Sequence, residues 1–267
     1  MTPTSTIAGF PEPTSVGVAG DWHGAGKWAK HAIDRLMDYR PVDALVQLGD
    51  FGFWPGGGGQ AYLDALEKVL ERYGLPLFWI RGNHEWQPEL AAWPVTDGVQ
   101  IIRPHIVHLP AGFRWQWKGQ TWLALGGAPS IDRDLRVAGV DWWPDEVISD
   151  LDVEEAIAGG PADIMICHDA PRGVSELDQW LSVNGIALPP IIASDADYGR
   201  SQVRKVVDAV QPSRLFHGHY HHRYDGEMRG DGFTTAITGL DCNGSTTRKN
   251  MLRLDLPVAA VTELFDD

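Results

Sequence analysis

The sequence predicts an α/β fold, a four-layer α/β/β/α sandwich in which two mixed sheets are flanked by helices, and three observations predict it. Short apolar runs end repeatedly in glycine-containing polar loops. Two of those loops lead into segments whose apolar residues recur at helical spacing, the rhythm of strand, loop and helix that builds a parallel sheet. Later stretches, residues 101–125 and 251–256, alternate in the manner of antiparallel strands. With 267 residues, 43% apolar and 22% charged, the chain can bury a large core.

The first strand is predicted at residues 14–19, followed by the loop G-D-W-H-G. Trp28, Ala29, Ala32, Ile33, Leu36 and Met37 then share one helical face until Pro41 stops the helix. The unit repeats with a strand at 44–48, the loop G-D-F-G-F-W-P-G-G-G-G, and a helix carrying Tyr62, Ala65, Leu66, Val69, Leu70 and Tyr73 on one side. A third strand at 75–80 runs into R-G-N-H-E-W. Residues 163–167 lead to His168, and residues 213–216 lead into H-G-H-Y-H-H. Residues 56–59, all glycine, read as a flexible hinge, and a helix is expected from Pro144. No linker-like stretch and no internal repeat interrupts the chain, which predicts one domain over residues 1–267, with its last strands reaching about residue 257.

Charge narrows the function classes. With 22 basic and 36 acidic residues the formal charge is −14, which disfavours long nucleic acids, because nonspecific affinity for them comes from Lys and Arg neutralising phosphates. A metal site can reverse the local field, so small phosphorylated substrates stay open. Two cysteines, Cys167 and Cys242, are too few for a disulfide framework and match no zinc-binding spacing. No apolar run approaches the ~20 residues of a membrane helix, and the opening M-T-P-T-S-T-I-A-G-F lacks the basic start and apolar stretch of a signal peptide. A cytoplasmic protein with no membrane partner is the expectation.

The ends of the five strands carry Asp21 and His23, Asp50, Asn83 and His84, His168, and His219 and His221. In an α/β sheet the carboxyl ends of strands are where ligands collect. Five of ten histidines sit there, immediately after apolar runs, and all these residues offer oxygen or imidazole donors. Such a set suits Mn²⁺, Fe²⁺, Zn²⁺, Ni²⁺ or Co²⁺ better than Ca²⁺ or Cu⁺.

D-W-H at 21–23, G-D at 49–50, G-N-H-E at 82–85, His168 and G-H-Y-H at 218–221 resemble, in order, the five blocks of the calcineurin-like metallophosphoesterases, over residues 16–222. The size resembles that of stand-alone bacterial and phage members. The resemblance implies that Asp21, His23 and His221 bind one divalent ion, that Asn83, His168 and His219 bind another, and that Asp50 bridges them, with Mn²⁺ the leading candidate. Two ions about 3.5–4 Å apart lower the pKa of a shared water and clamp both oxygens of an in-line displacement. It also implies that His84 acts as acid or transition-state stabiliser rather than as a ligand. His217 and His222 fall outside the block and are expected behind the ligands or on the surface. Period-two geometry in an extended strand end would aim His219 and His221 the same way.

The second block lacks the later Asp and Arg of protein Ser/Thr phosphatases, so protein substrates are disfavoured. Small phosphodiesters, cyclic nucleotides among them, are the expected substrates; a phosphomonoesterase, a nuclease and a non-catalytic binding module of the same fold are the alternatives. Trp22, Trp54 and Trp86 each lie within four residues of a proposed site residue, and the chain has 12 Trp. They could form an aromatic rim for a nucleobase or simply pack the loops or the core. Arg133 and Arg136 could grip a phosphate or pair with Asp132 and Asp134. Gly26-Lys27 is not a phosphate-binding P-loop, since the surrounding glycine and Ser/Thr are missing.

Overall fold

The structure is a computed structural model that describes residues 6–258; the ends of the expected domain, 1–5 and 259–267, lie outside the described residues. The first sheet contains β1 (Ser15–Ala19), β2 (Ala44–Gln47), β3 (Leu77–Trp79), β4 (Gln100–Arg103), β5 (Ile106–His108) and β12 (Met251–Asp255), in the order β12-β1-β2-β3-β5-β4. The second contains β6 (Arg114–Trp117), β7 (Gln120–Leu125), β8 (Ile164–Cys167), β9 (Arg214–His217), β10 (Tyr224–Arg229) and β11 (Thr234–Gly239), in the order β10-β11-β9-β8-β7-β6. Both are mixed: β1, β2, β3 and β5 run parallel, as do β7, β8, β9 and β11, while β12, β4, β6 and β10 pair antiparallel at the edges.

Strand alternation sorts the core into layers. Val16, Val18, Val46 and Phe78 of the first sheet pack with Ile164, Ile166 and Phe216 of the second, which places the two sheets face to face. Trp115, Trp117 and Trp122 fill the same layer, Trp115 and Trp122 stacking at 5.6 Å between ring centres. The opposite face of the first sheet, with Leu45, Leu77 and Trp79, packs on α1 (Gly26–Tyr39) and α2 (Gly56–Tyr73). The outer face of the second, with Met165, Cys167 and Leu215, packs on α4 (Asp150–Ala158), α5 (Ser175–Asn184) and α6 (Pro190–Val210). The order helices, sheet, sheet, helices is the expected one.

Two local expectations are corrected. The glycines at 56–59 are not a hinge: they form the first turn of α2 behind Pro55, because the amphipathic run that follows propagates the helix back to them. Pro144 starts only a short 3₁₀ turn, Pro144–Glu146. The helix begins at Asp150, where the Ser149 hydroxyl accepts the Asp152 N–H at 3.1 Å and the Asp152 carboxylate accepts the Ser149 N–H at 2.8 Å. α3 (Gln87–Ala92) and α7 (Thr247–Asn250) complete the described elements. Among the described residues no helix is long and apolar enough to cross a membrane.

Candidate metal centre

β1, β2, β3, β8 and β9 all deliver their carboxyl ends to one edge where the two sheets meet, and the polar residues that follow them converge there. Ligand-type atoms of Asp21, His23, Asp50 and His221 lie within 4.8 Å of one another, and so do those of Asp50, His168 and His219. Asp50 belongs to both groups, with Oδ2 3.3 Å from His23 Nε2 and Oδ1 3.4 Å from His168 Nε2. His221 Nε2 lies 3.1 Å from Asp21 Oδ2. Asn83 joins the second group through Oδ1, 3.1 Å from His168 Nε2.

The loops reach this arrangement through unusual backbone. His23, Asp50, His219 and His221 all have positive φ, between 44° and 66°. Left-handed conformations of non-glycine residues concentrate at functional sites, where surrounding structure holds them. The extended-strand reading of His219 and His221 is thereby corrected: β9 ends at His217, and the two side chains leave a tight turn toward different groups. At Gly218 a Cβ would lie 2.1 Å from Asp21 Oδ1, and at Gly82 one would lie 2.2 Å from Asp50 Oδ1, so both loops need glycine to approach the carboxylates.

Behind the ligands each donor is oriented. His168 donates from Nδ1 to the Leu48 carbonyl at 2.7 Å, and His23 Nδ1 meets Asn243 Oδ1 at 2.8 Å, so both rings turn Nε2 toward Asp50. Asn83 Nδ2 donates to Ser130 Oγ at 2.9 Å, which donates to Glu146 Oε2 at 2.7 Å, leaving Asn83 Oδ1 to face the site. Glu85 is buried and accepts the N–H groups of Gly52 and Gly82, tying the second and third loops together. Asn250 donates to the Asp21 carbonyl and accepts the Trp22 indole N–H. His217 is fully buried between the Gly218 carbonyl and the Tyr224 hydroxyl, and His222 stacks on Trp180 at 4.4 Å. Asn243, Asn250, Ser130 and Glu146 carry no motif that sequence reading could single out; each acts across a long stretch of chain.

The electrostatics call for cations. Asp21 and Asp50 are buried, and the ion-pair partners they have among the described residues are all histidines. Burial would raise the Asp50 pKa, but His168 and His84 hold it well below the usual carboxylate range. Against the burial that opposes it, Asp50 pushes His168 up to about 10. Burial, reinforced by His168, pushes His219 well below the ordinary imidazole value and leaves it a neutral donor. A site with buried carboxylates that borrow protons onto imidazoles, in a mixed O/N donor set, fits borderline divalent ions.

The remaining candidates are placed as follows. His84 is partly exposed, its N–H donating to Asp50 Oδ1 at 2.9 Å and its Nε2 3.9 Å from Asp50 Oδ2. Arg136 touches His84 Nε2 and also pairs with Asp132 at 2.8 Å. Arg133 pairs with Asp195 at 2.5 Å, away from the ligands. Trp22 is wholly buried and packs in the core, the second of the two readings open for it, and is no part of a rim. Trp54 lies over Gly24 and Trp86 packs against the α1/α2 core; neither lines the cavity that opens beside the ligands.

Two sheets between helices thus carry, at the strand ends, an Asp/His/Asn cluster that could hold metal ions. The family model of the calcineurin-like phosphoesterases matches residues 14–223, and the chain belongs to that family. Its members are hydrolases of phosphoester bonds and normally depend on divalent metal. No curated protein matches the sequence. Solved structures give weak likenesses. A novel phosphatase from Mycoplasma pneumoniae is 12% identical, with TM-score 0.45, over 94% of this chain and 91% of that one. A hypothetical protein from Thermus thermophilus is 14% identical, with TM-score 0.42, over 86% and 77%. A conserved uncharacterized protein, a predicted phosphoesterase, from Streptococcus pneumoniae is 10% identical, with TM-score 0.33, over 91% and 82%.

Proposed function

We propose that this chain is a binuclear metal-dependent phosphodiesterase for small substrates, cyclic nucleotides among them. The observation that carries the reading is Asp50, buried at the shared corner of two donor groups with His84 beside it. Asp21, His23 and His221 would hold one ion and Asn83, His168 and His219 the other, Mn²⁺ being the first to try. Bound there, such ions supply a water of lowered pKa and Lewis-acid polarisation of the phosphoryl oxygens. The chain's own residues do the rest. The Leu48 carbonyl and Asn243 fix the imidazole tautomers of His168 and His23. Ser130 takes the Asn83 amide N–H and leaves the carbonyl oxygen free for the ion it would hold. His84 and Arg136 stand together at the open side, where they would meet the phosphoryl oxygens and the departing alkoxide. Net charge −14 and the missing protein-phosphatase residues support a small diester over nucleic acid or phosphoprotein.

The deciding assay compares Mn²⁺-dependent hydrolysis of bis(4-nitrophenyl) phosphate and 4-nitrophenyl phosphate, with Asp50→Asn as the blank. Faster diester turnover that disappears in the variant is the expected result. Monoester preference would make the chain a phosphatase, and inactivity with every divalent ion tried would defeat the hydrolase reading.

A further inference from the structure

The cavity beside the metal ligands is larger than a phosphate needs. It encloses about 560 Å³, with Asp50, Asn83, His84 and His219 at its lining. Cavities of this size, roughly 300–1,000 Å³, take whole drug-sized molecules. The rest of its wall comes from α5, α6, their connecting loop and the segment after β7, and is largely apolar: Trp180, Leu181, Ile186, Leu188, Pro129 and Ile131. Ile131 and Ile186 continue the apolar surface outward, remaining 44% and 70% exposed.

Behind this apolar wall the Asp169 carboxylate is held by the chain itself. Asp169, only 1% exposed, uses Oδ1 for the Ala170 N–H and the Tyr220 hydroxyl, while Oδ2 has no hydrogen-bond partner. That oxygen is closed off from the cavity, so it takes no part in holding a ligand there. Arg200 also lines the cavity, and its Nη2 is engaged by Asp178 at 2.7 Å and by the Pro171 carbonyl. Asp132 and Asp197 on the same lining are paired with Arg136 at 2.8 Å and Arg172 at 3.2 Å, and Arg200 Nε has no hydrogen-bond partner.

We propose that this compartment binds the organic substituent of the phosphoester, a mostly apolar group of aromatic-ring size or larger. The proposal rests on the phosphoesterase reading, and it moves the site of substituent recognition from Trp54 and Trp86 to the α5–α6 side. A nucleobase or an aryl alcohol fits this largely apolar lining.

The test uses non-hydrolysable phosphonates on the Mn²⁺-loaded protein, with binding read by calorimetry and nitrophenyl-ester turnover read on the same preparations. Phenylphosphonate should bind at least tenfold more tightly than methylphosphonate, and that ratio should fall to within twofold in Ile186→Asp and Leu181→Asp, the exposed Ile186 guarding against a variant that fails to fold. Equal binding of the phenyl and methyl compounds overturns the proposal, and if turnover persists the hydrolase reading stands without it. Phenyl preference with no turnover supports the compartment and overturns the hydrolase reading instead.

Discussion

At His84 two neighbours meet one ring nitrogen. The Arg136 guanidinium has only donors, so its contact with Nε2 makes that nitrogen an acceptor and puts the ring proton on Nδ1. In this state His84 could act as the proposed acid through Nε2 only if substrate drew Arg136 onto its own phosphoryl oxygens. Replacing His84 with Ala should lower kcat by about 10²–10⁴-fold, the usual worth of a positioned acid or base. Metal stoichiometry by elemental analysis should stay the same, and undiminished turnover would remove His84 from the chemistry. The residues of the candidate site legible in the sequence were those in short blocks at strand ends, such as Asp21, Asp50 and His168. Asn243 and Ser130 were not legible, since an isolated Asn or Ser gains meaning only when folding brings it to His23 or Asn83.

Among the elements, those legible in the sequence share a local signature. β1, β2, β3, β8 and β9 are short apolar runs closed by polar loops, and α1 and α2 have clean apolar faces. The alternation at 101–125 was legible as antiparallel pairing, yet β4–β5 and β6–β7 enter different sheets, a fact set by tertiary packing of the inner faces. β10 escaped because it is an edge strand with exposed Asp225, Glu227 and Arg229, which blurs the alternation. α6 could have been found from Val203, Val206, Val207 and Val210, buried at helical spacing. For α4, whose start the sequence reading placed too early, the reciprocal cap gives a direct check. Ser149→Ala should cost about 1 kcal/mol of stability in urea denaturation, and an unchanged midpoint would show that packing alone fixes the helix start.

For the whole molecule, buried titratable groups outside the centre set a pH profile. Burial, aided by Arg81, holds His108 down to about 3, and its Nε2 has no partner. The unfolded chain binds that proton near pH 6.5, so between about 3 and 6.5 the unfolded state holds more protons and stability falls on acidification, by up to about 1.4 kcal/mol per pH unit. Glu146 has the opposite sign: burial raises it to about 7, so its contribution is lost as pH rises from about 4.5 through 7. The loss of unfolding free energy from pH 6.5 to pH 4 should be about 2–3 kcal/mol smaller in His108→Gln than in the parent. Equal losses would show that His108 takes no part in the acid limb.

β12 pairs with β1 across the whole chain, and the stretch just before it supplies Asn243 and Asn250, the partners of His23 and Trp22. During synthesis at about 5–20 residues per second, the first sheet therefore waits for its final strand while β1 and β2 are already made. Until residues 243–255 emerge, the first two donors of the centre have neither their sheet edge nor their orienting amides. A nascent chain stalled before residue 243 would therefore carry every histidine of the five blocks and still lack the side chain that aims His23 into the candidate metal pocket.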